Sequence, residues 1–548
     1  MSKFFKLSFI IFICVFFCFK VWRCSRGYTE EKSQVKECSK CGGTLVIGVS
    51  ADASVLVPMI ATDVISHDVA DLIFLGVVKY SPDLKIVGDL AKSFKVSRDQ
   101  KTITFYLRKG VKWADGKEVT AKDVYFGFKL ITSPKTPSAY ASDFLEVKKF
   151  EILSPYVFRV TYKKPFALAL ASWGNLVVLP EHLLKGKSLD YLISKFGRKP
   201  VGNGPYSLLE WKPQEKIVLK FNPLYYKGRP YLDYIIYRVI PDPSTAFMEL
   251  QTGSVDWISL TPLQYLKIQR DPLLRKKFNI YKYPTFSFTY LGYNLRHPLF
   301  KDKRVRQALC HAINKREIVE GALLGQGIPA YGPYKPDTWY YNKEVEKTCD
   351  YSPEKALKLL EEAGFKRGKD GILRKNGKPF EFTILVNQGN LARLLTAQII
   401  QRELSKIGIK VHIRVVEWTT LINQFIDHRR FEAVILGWAM GPDPDLYDIF
   451  HSSKIPPPGL NFVGYKNPEL DKLLEEGRYT LDQEKRKKIY YKVQEILAED
   501  QPYTFLYIPF SLQAINKRIK GIKPAPIGIS YNIERWWIPA EGRKYLIP

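Results

Sequence analysis

LRKGVKWADGKEVTAKDV, residues 107–124, brings together the end of a strand, a tight turn and the start of a helix. Upstream, residues 102–107 alternate, with Ile103, Phe105 and Leu107 on one face, which predicts a half-buried strand. Gly110 and the pair Asp115-Gly116 supply the turn. A helix opens near Thr120 with Asp123 in its first turn, where a carboxylate faces unpaired backbone amides. Working outward, short runs rich in Val, Ile and aromatics predict strands at 44–49, 158–162, 217–221 and 234–239, separated by turns such as 202–205.

Helices alternate with these strands. Val305, Ala308, Leu309, Ala312 and Ile313 recur at helical spacing, as do Ala356, Leu359, Leu360 and Ala363 between Ser352-Pro353 and Gly364, and Ile489, Val493, Ile496 and Leu497 before Pro502. Strict alternation over 409–415 predicts a half-buried strand with Lys410, His412 and Arg414 outward. The nearly continuous apolar run 431–437 reads as a strand central in a sheet. The pattern is α/β, and no repeat or Pro-rich linker separates independent domains. The expectation is lobes that interleave along the chain.

A length of 548 residues exceeds what one core organises, and 46% hydrophobic with 14% aromatic residues is the composition of a folded chain. The net charge of +29 is spread along the sequence. Without zinc-finger spacing, an RNA-binding aromatic motif or a heptad-bearing basic region, it reads as a cationic surface and not as a nucleic-acid site.

Residues 1–24 read as an export signal: Lys3 and Lys6 precede an apolar stretch over 7–19, after which Lys20 and Arg23 return. At about 1.5 Å per residue that stretch spans roughly 20 Å, short of a ~30 Å hydrocarbon core, although an uncleaved anchor stays open. Cys24 stands where lipid modification could follow, but Val21, Trp22 and Arg23 lack the small residue that processing usually requires. Cys38 and Cys41 form a lone CxxC, read as a local disulfide or free thiols. Cys310, on an apolar helix face, reads as a small buried hydrophobe.

Taken together, residues 107–124, VGNGPY at 201–206, VRQALCHAINKREIV at 305–319, SPEKALKLLEEAG at 352–364 and NPELDKLL at 467–474 resemble the family 5 extracellular solute-binding proteins of ABC importers, the oligopeptide, dipeptide and nickel binders. The resemblance covers nearly the whole chain after the export segment. It implies a two-lobed periplasmic-binding-protein type II fold (cluster C) with an extra inserted subdomain. The corresponding partition is an export segment at 1–24, a linker at 25–43, lobe I at 44–75, 200–292 and 512–548, the insertion at 76–199, and lobe II at 293–511. It further implies a monomer of the periplasm or cell exterior that closes around a peptide and hands it to a permease, with no cofactor and no chemistry of its own.

Within that frame Gly437 and Trp438 resemble the Gly-Trp pair lining the family's cleft, and Trp418 resembles a second cleft aromatic. Peptide binders of the family commonly carry an Asp three residues after that Trp, where this chain has Gly441. Asp443 and Asp445 could take its place opposite a ligand ammonium, or could be turn residues. Ser50, Asp52, Asn387 and Gln388 follow predicted strands, and Tyr507 lies on the segment returning to the first lobe; their amides, hydroxyls and carboxylate suit a peptide backbone.

Other classes find less support. The sequence has no GxSxG elbow, P-loop, HExxH or dinucleotide fingerprint, and its histidines, His182, His311 and His451 among them, lack metal-ligand spacing. The alternatives left open are an oligosaccharide or chelated metal as ligand, or a surface adhesion protein on the same scaffold.

Overall fold

The segment 107–124 folds as its pattern requires. In this computed structural model, which describes residues 38–174 and 178–543, the strand Thr102–Leu107 ends just before the turn and the helix Ala121–Ile131 begins just after it. Thr120 caps that helix by accepting from Lys122 N, while Asp123 Oδ2 accepts from Thr120 N at 2.8 Å. This reciprocal cap satisfies two amides that the first turn leaves unpaired. Ile103, Phe105 and Leu107 are buried. Phe105 stacks on Phe158 at 4.8 Å, and Trp173 closes over both rings. The strand belongs to a four-stranded antiparallel sheet running Ala91–Val96, Thr102–Leu107, Val157–Tyr162, Val147–Ser154.

VGNGPY seats this part of the chain against the helix Val64–Ile73. A Cβ on Gly202 would stand 1.9 Å from Ile73 O, so only glycine permits the approach. Asn203 Oδ1 accepts from Leu75 N at 2.8 Å, pairing an amide just beyond the helix end.

Two groups of strands build the rest. In the first, Thr44–Val49 lies parallel to Tyr234–Val239 and to Trp257–Ser259, with Lys216–Phe221 and Tyr206–Lys212 beyond. In the second, Glu381–Asn387 lies parallel to both Lys410–Val416 and Ala433–Ala439, and Ser287–Tyr293 follows antiparallel. The long strand Tyr503–Asn516 joins them. Its first residues pair with Ser287–Tyr293, and Gln513, Ala514 and Ile515 pair with Trp257–Ser259. Phe278–Pro284 also runs against its second half, so the chain passes from one group of strands to the other between Pro284 and Ser287 and again within Tyr503–Asn516.

Both faces of each sheet are covered, which explains runs that are apolar at nearly every position. On Ala433–Ala439, Ile435 packs into one core with Ile384 and Ile400, while Val434 and Leu436 pack into another with Phe288 and Phe505. The edge strand Lys410–Val416 departs from its predicted alternation at one end: Val415 is 48% exposed and Val416 is buried, because the chain leaves the sheet there for a helical turn.

Cys310 is not a free apolar side chain. It is disulfide-bonded to Cys349, 39 residues on, tying the helix Lys303–Ala312 to the segment before Pro353–Glu362. Closing a loop of this length stabilises by about 4 kcal/mol through the entropy removed from the unfolded chain. Cys38 and Cys41 are each disulfide-bonded as well, not free thiols. The expected export segment 1–24, Cys24 and residues 25–37 lie outside the described residues.

Candidate functional site

A cavity of about 1140 Å³ lies where the chain crosses between lobes. Ser50, Asp68 and Tyr80 reach it from the first lobe, Tyr283 and Phe510 from the crossing strands, and Asn390 from the second lobe. It exceeds the range of about 300–1,000 Å³ usual for drug-sized ligands. Asp68 is open to the cavity, but the protein around it takes away part of its hydration, and this, with Asp71 and Asp63 adding to it, pushes its carboxyl up to about 7. Burial and then the charge of Asp443 push the Tyr80 phenol up to about 12.

Of the ten candidates from the sequence, Ser50 lines this cavity directly. Asp52 is buried and its oxygens accept from Trp211 Nε1 at 3.0 Å and Gln214 N at 2.9 Å. Trp438 is half-buried, with its ring 5.9 Å from Phe462 and its Nε1 donating to the Tyr503 hydroxyl at 3.4 Å. Trp418, also half-buried, starts a helical turn capped by Glu417, which accepts from Thr419 N and Thr420 N. Gln388 is exposed and donates its backbone N–H to Val416 O at 2.7 Å.

Asn387, Gly437 and Tyr507 converge on a residue that the sequence patterns did not single out. Arg393 donates from Nη1 to Asn387 Oδ1 at 2.8 Å. A Cβ on Gly437 would stand 3.1 Å from Arg393 Nη2 and 3.0 Å from Phe288 O, so the glycine leaves room for the guanidinium. Tyr507 and Tyr290 both act on its charge. Gly437, Thr289 and Tyr507 are in register across three strands, and Arg393 closes over that row.

Asp443 and Asp445 have arginine partners. Asp443 accepts from Arg486 Nη1 and Nη2, both at 2.9 Å, in the bidentate geometry of strong ion pairs. Asp445 Oδ2 lies 3.2 Å from Arg478 Nε. Arg478, with a side chain only 4% exposed, also pairs with Asp143 of the residues expected to form the insertion and lies over the Tyr447 ring at 4.3 Å. Ser142 Oγ donates to Asp448 Oδ1 at 2.7 Å, Lys454 Nζ lies 2.7 Å from the same oxygen, and Ala167 N donates to Arg478 O at 2.7 Å. Residues 142–167 are thus bonded directly to residues 445–478, which the sequence partition assigns to the second lobe.

Comparison with known proteins agrees with this architecture. The model of the bacterial extracellular solute-binding proteins, family 5, matches residues 85–456. The oligopeptide-binding protein AppA of Bacillus subtilis is 37% identical over 94% of this chain and 95% of its own. Its structure in complex with a nonapeptide superposes with a TM-score of 0.85, covering 91% of this chain and 99% of that one at 35% identity. NikZ of Campylobacter jejuni in complex with Ni(L-His) superposes with a TM-score of 0.81 at 30% identity, covering 90% and 99% of the two chains. DppA of Helicobacter pylori in complex with the peptide STSA does so with a TM-score of 0.81 at 29% identity, covering 92% and 100%.

Proposed function

Because the chain belongs to the family 5 bacterial extracellular solute-binding proteins, we propose that it is the substrate-binding component of an ABC importer, taking up peptides of several residues and delivering them to a membrane permease. The observation that carries the peptide assignment is the cavity at the lobe crossover, set in a chain so similar to a nonapeptide-binding relative along nearly its whole length. A space above the drug-sized range suits an extended ligand, and open strand ends offer backbone amides and carbonyls to a peptide main chain whatever its side chains. The protein holds its ligand and releases it unchanged.

An extracytoplasmic setting accords with the bond between Cys310 and Cys349, since disulfides persist mainly in oxidising compartments. Residues 1–24 would direct export and either be removed or hold the protein at the membrane, with Cys24 as a lipid attachment point. Closure is a rotation about the two crossings, Pro284 to Ser287 and Tyr503–Asn516, and presents the permease with a surface that differs between empty and loaded forms.

The test is thermal denaturation of the protein, freed of co-purified ligand by unfolding and refolding, against pools of peptides two to nine residues long. A bound peptide at about 100 times its dissociation constant adds about 2.7 kcal/mol, a clear rise in Tm. No rise with any pool would overturn the peptide assignment.

A further inference from the structure

Folding gathers part of the +29 net charge into one small element. Residues 366–378, KRGKDGILRKNGK, hold six cations and one carboxylate, against 84 and 55 in the whole sequence. They form a three-stranded antiparallel sheet of Lys366–Arg367, Leu373–Lys375 and, at its end, Lys378–Pro379. Its register sets like against like: Lys366 stands opposite Arg374, and Lys375 opposite Lys378. Such cross-strand pairs repel and weaken the sheet that contains them. What anchors it is apolar, since Leu373 is buried and the flanking Phe365 and Phe380 stack at 4.8 Å.

The charges are answered only in part. Arg374 pairs with Asp370 at 2.7 Å, Arg367 donates to Gly371 O at 3.1 Å, and Lys375 lies over the Phe365 ring at 5.6 Å. Among the described residues no carboxylate comes within ion-pair distance of Lys366, Arg367, Lys369, Lys375 or Lys378, and all five are exposed. The turns present them to solvent: Lys369 sits between Gly368 and the left-handed Gly371, and Lys375 and Lys378 flank the left-handed pair Asn376-Gly377. Leu373 N donates to Gly408 O at 2.7 Å, which seats the sheet beside Lys406 and Lys410 at the edge of the second group of strands.

Five exposed cations without carboxylate partners, gathered on thirteen residues, match a dense negative surface. The segment has no aromatic ring on which a base could stack, so a nucleic acid would find only its phosphates answered. A receptor that delivers solute to a permease works beside a lipid surface, and acidic phospholipids give that surface a negative potential reaching about a Debye length, ~10 Å. We infer that residues 366–378 dock on the phosphate headgroups of acidic phospholipids through Lys366, Arg367, Lys369, Lys375 and Lys378. The choice of a bilayer over another polyanion rests on the delivery reading above; the identity of the solute does not enter. Held there, the receptor meets its permease at a raised local concentration.

The experiment is flotation of the full chain, without added peptide, on vesicles of phosphatidylcholine alone and of phosphatidylcholine mixed with phosphatidylglycerol, at low and at physiological salt. The wild type is compared with K366Q/K369Q/K375Q/K378Q and with K92Q/K95Q/K129Q/K148Q, an equal loss of exposed lysines from the residues expected to form the insertion. Each cation near an acidic surface is worth about fivefold in binding, so the first variant should lose roughly a hundredfold of the preference for acidic vesicles, while the second stays within about fivefold of the wild type. Any contribution of residues 1–24 is common to all three proteins and cancels. Added salt should weaken the wild type most. Equal binding of the wild type to both vesicles, an undiminished preference in the first variant, or an equal loss in the second overturns the inference. So does release from the vesicles by millimolar inorganic phosphate at constant ionic strength, which would mean a discrete phosphate site. None of these results touches the peptide assignment, which the thermal test decides. If the first variant does not fold, K369E, placed in a turn, decides in its stead and should lose about fivefold or more.

Discussion

Arg478 and Arg393 are both withdrawn from bulk water, but their surroundings differ in kind. Arg478 has Asp143 on one side, Asp445 on the other and the Tyr447 ring against it, so its charge is answered within the protein. Arg393 has an amide oxygen and two phenols. The first arrangement carries its own carboxylates and joins residues 142–167 to residues 445–478; the second carries none among the described residues and stands one residue beyond Ala392, which lines the cavity. A buried charge with its partners in place is architecture, and one without them is poised for something brought from outside.

Breaking the complete arrangement should cost most. R478A removes the cation with which Asp143 and Asp445 both pair, and about 3–5 kcal/mol of stability should be lost in urea denaturation, with the scattering profile of the ligand-free protein shifting towards a more open form. A loss under about 1 kcal/mol would mean that the lobes are not held together there.

A smaller effect belongs to Asp68, which lines the cavity and whose proton equilibrium is displaced upward. Its carboxyl, raised to about 7 in the folded protein, binds its proton more tightly there than in the unfolded chain. The stability it contributes is therefore present at low pH and fades as pH rises from about 4 to 7. D68N should flatten the Tm-against-pH curve over that interval, modestly, because cavity water screens the group. Parallel curves for D68N and the wild type would place the proton elsewhere. The smallest change should come from R393Q, which removes a charge with no carboxylate to abandon and keeps an amide that can still donate to Asn387 Oδ1: stabilities in urea should agree with the wild type to within about 0.5 kcal/mol. A loss as large as that of R478A would make Arg393 architecture too.

Much of this scaffold was legible in the residues because two-sided burial and helix caps are local signals. Thr44–Val49, Thr102–Leu107 and Tyr234–Val239 end where their apolar runs end, and Ser352-Pro353 opens a helix as its types require. The site was legible only in part. Asn387 could be chosen from a strand end, Gly437 from the family resemblance and Tyr507 from the segment returning to the first lobe, but Arg393 looks in sequence like any basic residue on a helix surface, and only folding brings Gly437 against it. The partners of Asp443 and Asp445 lie more than thirty residues downstream, on no shared pattern. The same holds for Cys310 and Cys349, whose pairing needs both sulfurs brought within reach in space.

The strand Tyr503–Asn516 also has a bearing on biogenesis. It follows in sequence every strand it pairs with, yet both groups of strands need it, and Trp257–Ser259 must wait for Gln513, Ala514 and Ile515 to arrive. A polypeptide that emerges amino end first would keep both halves of its framework unfinished until this strand had been made, which slows locking of the fold.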